Sequence, residues 1–388
     1  MIDDRVPSRE LRVGVLGAGM IASHPGGVLP NLASLGTRLK VVAIASRTRT
    51  RAEEVAARFG IPHVRDSLTE MLAEDDPDVV VNLTPGPLHG ETNLEILESG
   101  KHLISEKPLA TTIAEADALI GIADSRDLLI VAAPPWMLDP RRVAARDLIR
   151  QGAIGRVAFA RSRSSHAGPA AMSWPADPSW AYADGSGAVP EIGVYGITEV
   201  TGIFGPAKRV IAMSGITQDT RIAVGGLFDG RTIDVMADDN TLLLLDFGDA
   251  TFAVVDATYN VTAASSPSLE VFGDRGTLNL YDPFWAKREQ PQIEVFQTDP
   301  VTGQSGWTVP DLSHLESRQF EFDRLQRAIL VSHFVDCLDT GVKPVLSAEH
   351  ARHSLEIMLG AQDSARAGCA VELETSFNFS NTALDEDR

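Results

Sequence analysis

Short apolar runs alternate with helical patterns along the first third of the chain. The runs are leucine-rich or β-branched and lack regular polar positions, which is typical of parallel strands covered on both faces. They are Leu11–Leu16, Val41–Ser46, Val79–Thr84, His102–Ser105 and Leu128–Ala132. Strands that alternate with helices at this spacing predict an α/β domain with a doubly wound parallel sheet over residues 1–135.

The intervening helices have recognisable ends. The segments Ser67–Glu70 and Thr112–Glu115 both fit the capping box, in which two side chains satisfy unpaired N–H groups of the first turn. Gly60 and Gly100 stand where two of the helices are expected to end.

A different pattern begins around Pro134-Pro135. One helix is expected over Asp139–Gln151, and short strands then dominate until two closing helices, Leu325–Thr340 and Ala348–Ala367. The predicted strands are Val157–Ser162, Arg209–Met213, Leu242–Phe247, Phe252–Ala257, Leu269–Phe272 and Thr277–Tyr281. Turn residues at Gly273–Gly276 favour a hairpin between the last two strands. This pattern predicts a C-terminal α+β domain with a large, open, mostly antiparallel sheet over residues 136–374, followed by a flexible acidic tail over 375–388.

Charge and cysteine content narrow the function classes. The 388 residues carry a formal net charge of −19, so the field of the protein repels phosphate backbones and anionic lipid. We therefore expect neither a nucleic-acid nor a membrane partner. The only cysteines are Cys337 and Cys369, and no apolar run reaches the ~20 residues needed to cross a bilayer. A cytoplasmic protein with reduced thiols is predicted.

A glycine-rich turn follows the first predicted strand. Gly17–Ala22 fits the pattern G-x-G-x-x-A of dinucleotide-binding Rossmann domains. Gly17 permits the tight turn, Gly19 lets the backbone approach a pyrophosphate, and the small Ala22 allows close helix–strand packing, with the helix N-terminus facing the phosphates. The alternative is an ordinary glycine-rich turn with no ligand.

The end of the second strand bears on which dinucleotide is preferred. NAD sites usually place Asp or Glu there, where the carboxylate accepts a hydrogen bond from the ribose 2′-hydroxyl. Here the strand ends in Ala45-Ser46-Arg47, and a guanidinium can pair with a 2′-phosphate. We expect NADP to be preferred over NAD. The alternative is that these arginines form a solvated loop.

Two further segments carry groups suited to acid–base chemistry. Glu106–Pro108 ends another predicted strand, at the edge where such sheets bind ligands, and the ammonium of Lys107 can polarise a carbonyl oxygen or stabilise a phenolate. In the second segment, the loop Gly185–Gly187 leads to Glu191 and Tyr195, which share one helix face. This carboxylate and phenol can serve acid–base chemistry or form a buried hydrogen-bonded pair.

Together these motifs resemble the glucose–fructose oxidoreductase, inositol dehydrogenase and rhizopine-catabolism (Gfo/Idh/MocA) family over nearly the whole chain. The glycine motif, Thr84–His89 and Glu106–Pro108 match the N-terminal domain of the family, and Gly152–Val157 resembles the usual entry into its sheet domain. The helix motif of the family, Asp-x-Gly-x-His or Asp-x-Gly-x-Tyr, corresponds to Glu191–Tyr195. A final tyrosine is similar to the branches that contain dihydrodiol and xylose dehydrogenases.

The resemblance implies roles for individual residues. Lys107 is expected to be the catalytic lysine beside the nicotinamide, Tyr195 the general acid–base, and Glu191 a residue that orients the substrate or the lysine. The expected cofactor-binding residues are Gly17, Gly19, Met20, Ile21, Ser46, Arg47, Thr84, Pro85, His89, Glu106 and Lys107.

Two departures from the family pattern concern the substrate. Glu191 replaces an aspartate, and the added methylene moves the carboxylate by more than ~1 Å. The segment Pro134–Met137 replaces the arginine or tyrosine cluster of many members, and this more apolar wall argues against a highly hydroxylated sugar.

Other aromatic and histidine residues are ambiguous. Trp174, Trp180 and Tyr182 can stack on a ring-shaped substrate or pack in the core. Two pairs have helical spacing that a metal site can use, His350 with His353 and His333 with Cys337, but further ligands at supporting spacing are missing from the sequence. No metal site is predicted.

The combined expectation is an NAD(P)-dependent dehydrogenase or reductase. It would transfer a hydride between nicotinamide and a secondary alcohol or carbonyl of a sugar, polyol or related cyclic alcohol. The alternatives are an NAD-dependent glycosidase of the same fold and a non-catalytic NAD(P)-binding sensor. A homodimer or homotetramer is implied by the resemblance alone.

Overall fold

The computed structural model describes residues 10–281, 291–298 and 303–379. The helices within these ranges are α1 Met20–Ser23, α2 Leu29–Leu32, α3 Arg49–Phe59, α4 Leu68–Asp75, α5 His89–Glu98, α6 Ile113–Arg126, α7 Pro140–Arg150, α8 Val194–Phe204, α9 Glu316–Leu325, α10 Ile329–Thr340 and α11 Ala348–Ala367. The strands are β1 Leu11–Leu16, β2 Leu39–Ala45, β3 His63–Arg65, β4 Val79–Asn82, β5 His102–Ser105, β6 Ile130–Ala132, β7 Val157–Arg163, β8 Arg209–Gly215, β9 Thr220–Ile222, β10 Thr232–Asp234, β11 Asn240–Gly248, β12 Thr251–Thr258, β13 Leu269–Gly273, β14 Gly276–Leu280, β15 Ile293–Thr298, β16 Ser305–Thr308 and β17 Val371–Glu372.

The first of two compact units contains a parallel sheet. Its described residues are 10–135 and 320–355, and its six strands run in the order β3-β2-β1-β4-β5-β6. All four residues of β4 are buried, which is why the strand reads as an unbroken apolar run with a polar end. The order reverses between β1 and β4, as in doubly wound folds that bind dinucleotides. The predicted parallel sheet is therefore confirmed.

Helix ends in this unit follow the predicted chemistry. The Thr112 hydroxyl accepts from the N–H of Glu115 at 3.2 Å, and the Glu115 carboxylate accepts from the N–H of Thr112 at 3.1 Å, which completes the capping box. At Ser67 only half of the box forms, because the Glu70 carboxylate accepts from the N–H of Asp66 instead.

The second unit is built on a mixed sheet of nine strands. Its described residues lie within 136–319 and 356–379, and the strand order is β16-β15-β14-β13-β7-β12-β11-β8-β17. Neighbouring strands are antiparallel except β7 and β12. The predicted large, mostly antiparallel sheet and the β13–β14 hairpin are confirmed.

Helix α8 lies close against this sheet because two glycines face it. A Cβ on Gly193 would stand 2.8 Å from the Cβ of Ala257, and one on Gly196 would stand 2.5 Å from the Ser164 hydroxyl oxygen. Both distances are shorter than real Cβ contacts allow, so larger residues would push the helix away from β7 and β12.

Several elements differ from the sequence prediction. The helix predicted over Leu325–Thr340 begins only at Ile329, as α10, because Gln326 adopts a left-handed conformation with φ of 50°. The helix that ends at Leu325, α9, was not predicted. Strands β3, β9, β10 and β15–β17 were not predicted, since most are too short to show a period of two. Residues 320–355 pack in the first unit, whereas the sequence pattern grouped them with the second.

The predicted tail begins as ordered chain. Thr375, its first residue, donates its backbone N–H to the Glu356 carboxylate at 2.9 Å. Residues 380–388 of the predicted tail lie outside the described residues. Across the described ranges, no helix is both long and apolar enough to cross a membrane.

Candidate active site

The glycine turn after β1 is crowded at Gly17 and uncrowded at Gly19. Gly17 has a φ of +103°, and a Cβ there would stand 2.8 Å from the carbonyl oxygen of Leu83, so the position requires glycine. Its N–H donates to the carbonyl oxygen of Ala45 at 2.8 Å. At Gly19, none of the described atoms lies within 4 Å of the place a Cβ would take. A backbone that is approachable on one side in this way fits a dinucleotide pyrophosphate.

The helix behind this turn is shorter than a full Rossmann helix. α1 is a single turn that contains Met20 and Ile21, both half-buried. It ends at Ser23, and the C-cap residue His24 is extended because Pro25 follows it.

Buried amides organise the ends of β4 and β5. Asn82 is fully buried, and its carbonyl oxygen accepts from the backbone N–H and the hydroxyl of Thr84 at 3.1 and 2.7 Å. Its amide group donates to Asn93 at 2.7 Å, and Asn93 donates to the Ser105 hydroxyl at 3.0 Å. This network fixes the loop that begins Thr84-Pro85 relative to the strand end that leads into Lys107.

Glu106 and Lys107 stand immediately after β5. The Glu106 carboxylate is buried and accepts from Arg327 at 2.9 Å. Burial alone raises the pKa of Glu106, but the positive charges of Arg327 and Lys107 outweigh it and hold that pKa below its ordinary value. Lys107 is half-buried beside this carboxylate. Sequence reasoning did not find Arg327, which lies 221 positions away along the chain.

His89 lies beneath the same loops. It is fully buried, and its two ring nitrogens face the backbone carbonyl oxygens of Pro108 and Thr84, the second at 2.8 Å. The ring therefore links the loop after β4 to the loop after β5.

The residues expected to read the adenosine ribose lie at the end of β2. The Ser46 hydroxyl accepts from the N–H of Thr48 at 3.3 Å, and Arg47 is exposed. The neighbouring Arg49 is engaged elsewhere, since it pairs with Asp66 at 2.8 Å. Arg47 is thus exposed at this strand end, whereas Arg49, which is also exposed, is held in an ion pair.

The structure brings the predicted cofactor residues to one edge of the first unit. The carboxyl ends of β2, β1, β4 and β5 are neighbours there in the sheet order. The residues at this edge are Gly17, Gly19, Met20, Ile21, Ser46, Arg47, Thr84, Pro85, Glu106 and Lys107, with His89 beneath them.

In the second unit, Glu191 and Tyr195 lie on consecutive turns of one helix. Val189–Gly193 forms a π-helical turn that leads into α8, and the N–H of Glu191 donates to the carbonyl oxygen of Gly187 at 3.3 Å. π-helical turns are frequent at functional sites. Tyr195 is half-buried, and its ring centroid lies 4.9 Å from that of Trp136.

A buried ionic network lies one turn further along α8. The Glu199 carboxylate accepts from Arg142 at 2.8 Å and from the Ser162 hydroxyl at 2.7 Å. Arg142 and Arg141 also donate to Asp139, the N-cap of α7. Burial raises the pKa of Asp139, but the charges of Arg142 and Arg141 outweigh burial and hold the pKa below its ordinary value. The signal that sequence reasoning missed is Glu199, the one charged residue in the apolar sequence of α8.

Two aromatic residues of the segment before the glycine loop, Trp180 and Tyr182, differ in how far they are buried. Tyr182 is fully buried, its hydroxyl accepts from the N–H of Ala170 at 3.2 Å, and its ring meets that of Tyr259 edge-on. Tyr182 is therefore a core residue. Trp180 is 40% exposed, so its ring has surface available to a ligand.

The histidines considered as metal ligands are buried in packing positions. His333 accepts from the N–H of Val345 at 3.0 Å, and burial lowers its pKa to about 4. His350 and His353 are both buried, and burial lowers the pKa of His350 to about 3. Over the ranges that the structure covers, no group of three or more His, Cys, Asp or Glu side chains is arranged to hold a metal ion.

Comparison with known proteins agrees with this arrangement. Residues 11–133 match the family model of the Gfo/Idh/MocA oxidoreductases with an NAD-binding Rossmann fold, and residues 143–279 match the Gfo/Idh/MocA C-terminal domain. The chain belongs to this family of NAD-binding dehydrogenases and reductases.

Individual relatives match most of the length of the chain. The chain is 28% identical to trans-1,2-dihydrobenzene-1,2-diol dehydrogenase from Macaca fuscata fuscata over 283 residues, 72% of this chain and 77% of the relative. It is 29% identical to dTDP-3,4-didehydro-2,6-dideoxy-alpha-D-glucose 3-reductase from Actinomadura kijaniata over 93% of this chain and 94% of the relative. A solved levoglucosan dehydrogenase in complex with NADH superposes with a TM-score of 0.80 at 20% identity, covering 95% of this chain and 100% of that one.

Proposed function

We propose that the protein transfers a hydride between nicotinamide and a secondary alcohol or carbonyl carbon of a sugar, polyol or related cyclic alcohol. The nicotinamide ring supplies the hydride donor or acceptor, at its C4. The substrate class is supported by relatives named for a cyclic dihydrodiol and for deoxysugar and anhydrosugar substrates.

The observation that carries this proposal is the position of Lys107 relative to the switch in strand order. Ligands of doubly wound sheets bind outside the carboxyl ends of the strands where the order reverses, here between β1 and β4. Gly17 and Thr84 follow these two strands, and Lys107 follows the next strand, β5. The lysine therefore stands one strand from the predicted dinucleotide crevice.

The protein groups have distinct proposed roles. Tyr195 gives or takes the proton of the substrate hydroxyl, and Lys107 supplies the positive charge that stabilises the resulting oxyanion. Glu191 orients the substrate from the π-helical turn. Glu106, held by Arg327, keeps the adjoining Lys107 backbone in place, because its carboxylate also accepts from the N–H of Lys107 at 3.3 Å.

A substrate panel tests the proposal directly. Purified protein would be mixed with NAD or NADP and a set of cyclic diols, polyols and anhydrosugars, and formation of the reduced cofactor would be followed by absorbance. We expect at least one member to be oxidised by the wild type and not by Lys107→Ala. Hydrolysis of a glycoside with tightly retained NAD and no net reduction would favour the glycosidase, and cofactor binding without turnover would favour the sensor.

For the cofactor, we propose that NADP(H) binds several-fold more tightly than NAD(H). The proposal is supported by Ser46 in the place of the usual carboxylate and by the exposed guanidinium of Arg47. Calorimetric titration of both cofactors into wild type and Arg47→Ala would measure the discrimination. Equal affinities in the wild type, or unchanged discrimination in the variant, would contradict it.

A homo-oligomeric assembly is supported by a solvent-exposed apolar face of the nine-stranded sheet. Large apolar side chains of three adjacent strands are exposed there, among them Met213, Leu242 and Val254, at 82, 52 and 37%. A contiguous apolar patch of this kind marks an interaction surface. Light scattering should report a dimer or tetramer that Leu242→Lys dissociates. Leu227→Lys is the matched control, because Leu227 is 90% exposed outside this sheet.

A cytoplasmic location is supported by the state of the thiols. Cys337 and Cys369 are both free, and Cys369 is exposed. Cell fractionation with an antibody against the protein would test the location.

A further inference from the structure

Helix α8 carries two polar side chains that are four residues apart, Tyr195 and Glu199. Tyr195 and Glu199 are one turn apart and therefore lie on the same face of the helix. Their surroundings differ, because Tyr195 is half-buried while Glu199 is 2% exposed. The buried carboxylate anchors the helix face that presents the phenol.

Arg142 on α7 is held in one orientation by this anchor. Its Nε donates to Glu199 at 2.8 Å and its Nη1 donates to Asp139, so two carboxylates bind one planar guanidinium. Charge-assisted pairs of this geometry are strong and directional. Arg142 is only 2% exposed, which limits competition by water.

The guanidinium of Arg142 then holds an aromatic ring. Its Cζ lies 4.3 Å from the centroid of the Trp136 ring, in the range of a cation–π contact. The ring of Tyr195 packs on the ring of Trp136, with the two centroids 4.9 Å apart and the ring planes inclined by 54°. The contacts from Glu199 through Arg142 and Trp136 to Tyr195 therefore begin and end on α8.

This closed set of contacts leads to an assignment for Trp136. We infer that Trp136 is a positioning residue, which, held by Arg142, fixes the ring orientation of Tyr195 for proton transfer. The inference rests on the proposed role of Tyr195 as general acid–base. Rotation about χ1 swings the phenol oxygen between staggered positions, so a ring that packs against the tyrosine selects one of them. Misplacement by 1 Å can cost up to about 10²-fold in rate.

The test compares Trp136→Leu and Trp136→Phe in the wild type and in a Tyr195→Phe background. In the wild type, Trp136→Leu should lower kcat by about 10- to 100-fold with KM and the Kd of the dinucleotide unchanged. Trp136→Phe should restore most of kcat, because a ring remains between the guanidinium and the phenol. In the Tyr195→Phe background, Trp136→Leu should have no further effect, since the hydroxyl through which it acts is gone.

Two further variants separate positioning from general stability. Arg142→Lys keeps the positive charge but loses the planar guanidinium, so like Trp136→Leu it should lower kcat. Trp307→Leu is the matched control: Trp307 is 50% exposed on β16, four strands and roughly 19 Å from β7. It should leave kcat unchanged. Thermal melting and near-UV circular dichroism would establish that each variant is folded.

Distinct results would overturn the inference. An equal loss of rate from Trp136→Leu with and without the Tyr195 hydroxyl would show that Trp136 does not act through it. A rise in KM with kcat unchanged would make Trp136 a substrate contact instead. If Tyr195→Phe alone retained full activity, the proposed function of Tyr195 would be wrong, and this outcome is read from the single variant.

Discussion

The two units support their key side chains by different means. In the first, the loops around Lys107 are held by neutral amides, Asn82 and Asn93, together with the Glu106–Arg327 ion pair, whose arginine is 30% exposed. In the second, the neighbourhood of Tyr195 is held by a buried ionic network around Arg142. Neutral amides need only their hydrogen bonds to be satisfied, whereas buried charges also require matched partners, since an unpaired buried charge is costly.

This difference predicts where each unit is vulnerable. Loss of one amide removes three or four hydrogen bonds near the strand ends but leaves no charge without compensation. Loss of one charge from the ionic network leaves an opposite charge buried without compensation. The second unit should therefore be the more sensitive to single substitutions away from the reacting groups.

The largest expected effect is on catalysis, where one residue from each unit is tested. Tyr195→Phe and Lys107→Ala should each lower kcat by roughly 10²- to 10⁴-fold while dinucleotide binding is retained. Steady-state kinetics and calorimetry on both single variants and the double variant would measure this.

The double variant sharpens the comparison. If the two residues serve the same proton-transfer step, it should be little worse than either single variant, because groups that act as a unit are not additive. Multiplicative losses would give them separate roles.

The next largest effect is on the free energy of unfolding, and we compare it for one arginine from each unit. Arg142→Met leaves Asp139 and Glu199 buried with too little positive charge and should cost about 3–5 kcal/mol of unfolding free energy. Arg327→Met should cost about 1–3 kcal/mol, because Arg327 is 30% exposed and Lys107 still balances Glu106.

Urea unfolding would measure both losses, with Arg49→Met as the exposed control. Arg49 is 52% exposed in its side chain, and its loss should change the free energy of unfolding much less than the loss of either of the other two arginines. Equal costs for Arg142→Met and Arg327→Met would remove the proposed difference between the units.

A third effect is acid sensitivity, compared here for one buried histidine from each unit. Burial lowers the pKa of His333 and of His166 to about 4. In each, a ring nitrogen accepts a backbone N–H, from Val345 and from Gly168, and protonation would abolish that bond. Between the ordinary pKa of about 6.5 and about 4, the unfolded chain binds more protons than the native protein. Stability should therefore fall as the pH falls through this window, by up to roughly 3 kcal/mol for each histidine.

Urea unfolding at pH 7 and pH 5 would test the two histidines separately. His333→Gln and His166→Gln should each reduce the pH dependence relative to wild type. An unchanged slope in either variant would mean that the histidine in question is already protonated, or accessible, in the native protein.

The smallest effect concerns Glu191 on the π-helical turn. Glu191→Asp shortens the side chain by one methylene and should lower kcat/KM severalfold, with cofactor affinity unchanged, if the carboxylate orients the substrate. If Glu191 only stabilises its helix, stability should change by less than about 1 kcal/mol and activity should be intact. Normal kinetics would therefore refute the substrate role.

The sequence by itself determined the local features of this protein. The alternation of apolar runs and helices specified the parallel sheet, and the steric demand at Gly17 specified the turn after β1. The strand end at Lys107 and the helix with Tyr195 were also found from neighbouring residues. Such features depend on backbone conformation within about ten residues, which periodicity and turn chemistry report directly.

Only the tertiary structure decided which distant groups meet. Arg327 reaches Glu106 across 221 positions, and Arg142 reaches Glu199 across 57. In the sequence Trp136 is only part of an apolar segment, and its contact with Tyr195 exists because the turn before α7 packs against α8. Periodicity states which face of an element is buried, but not which element covers it. The partners of buried charges and rings are therefore set by packing, and the sequence pattern does not contain them.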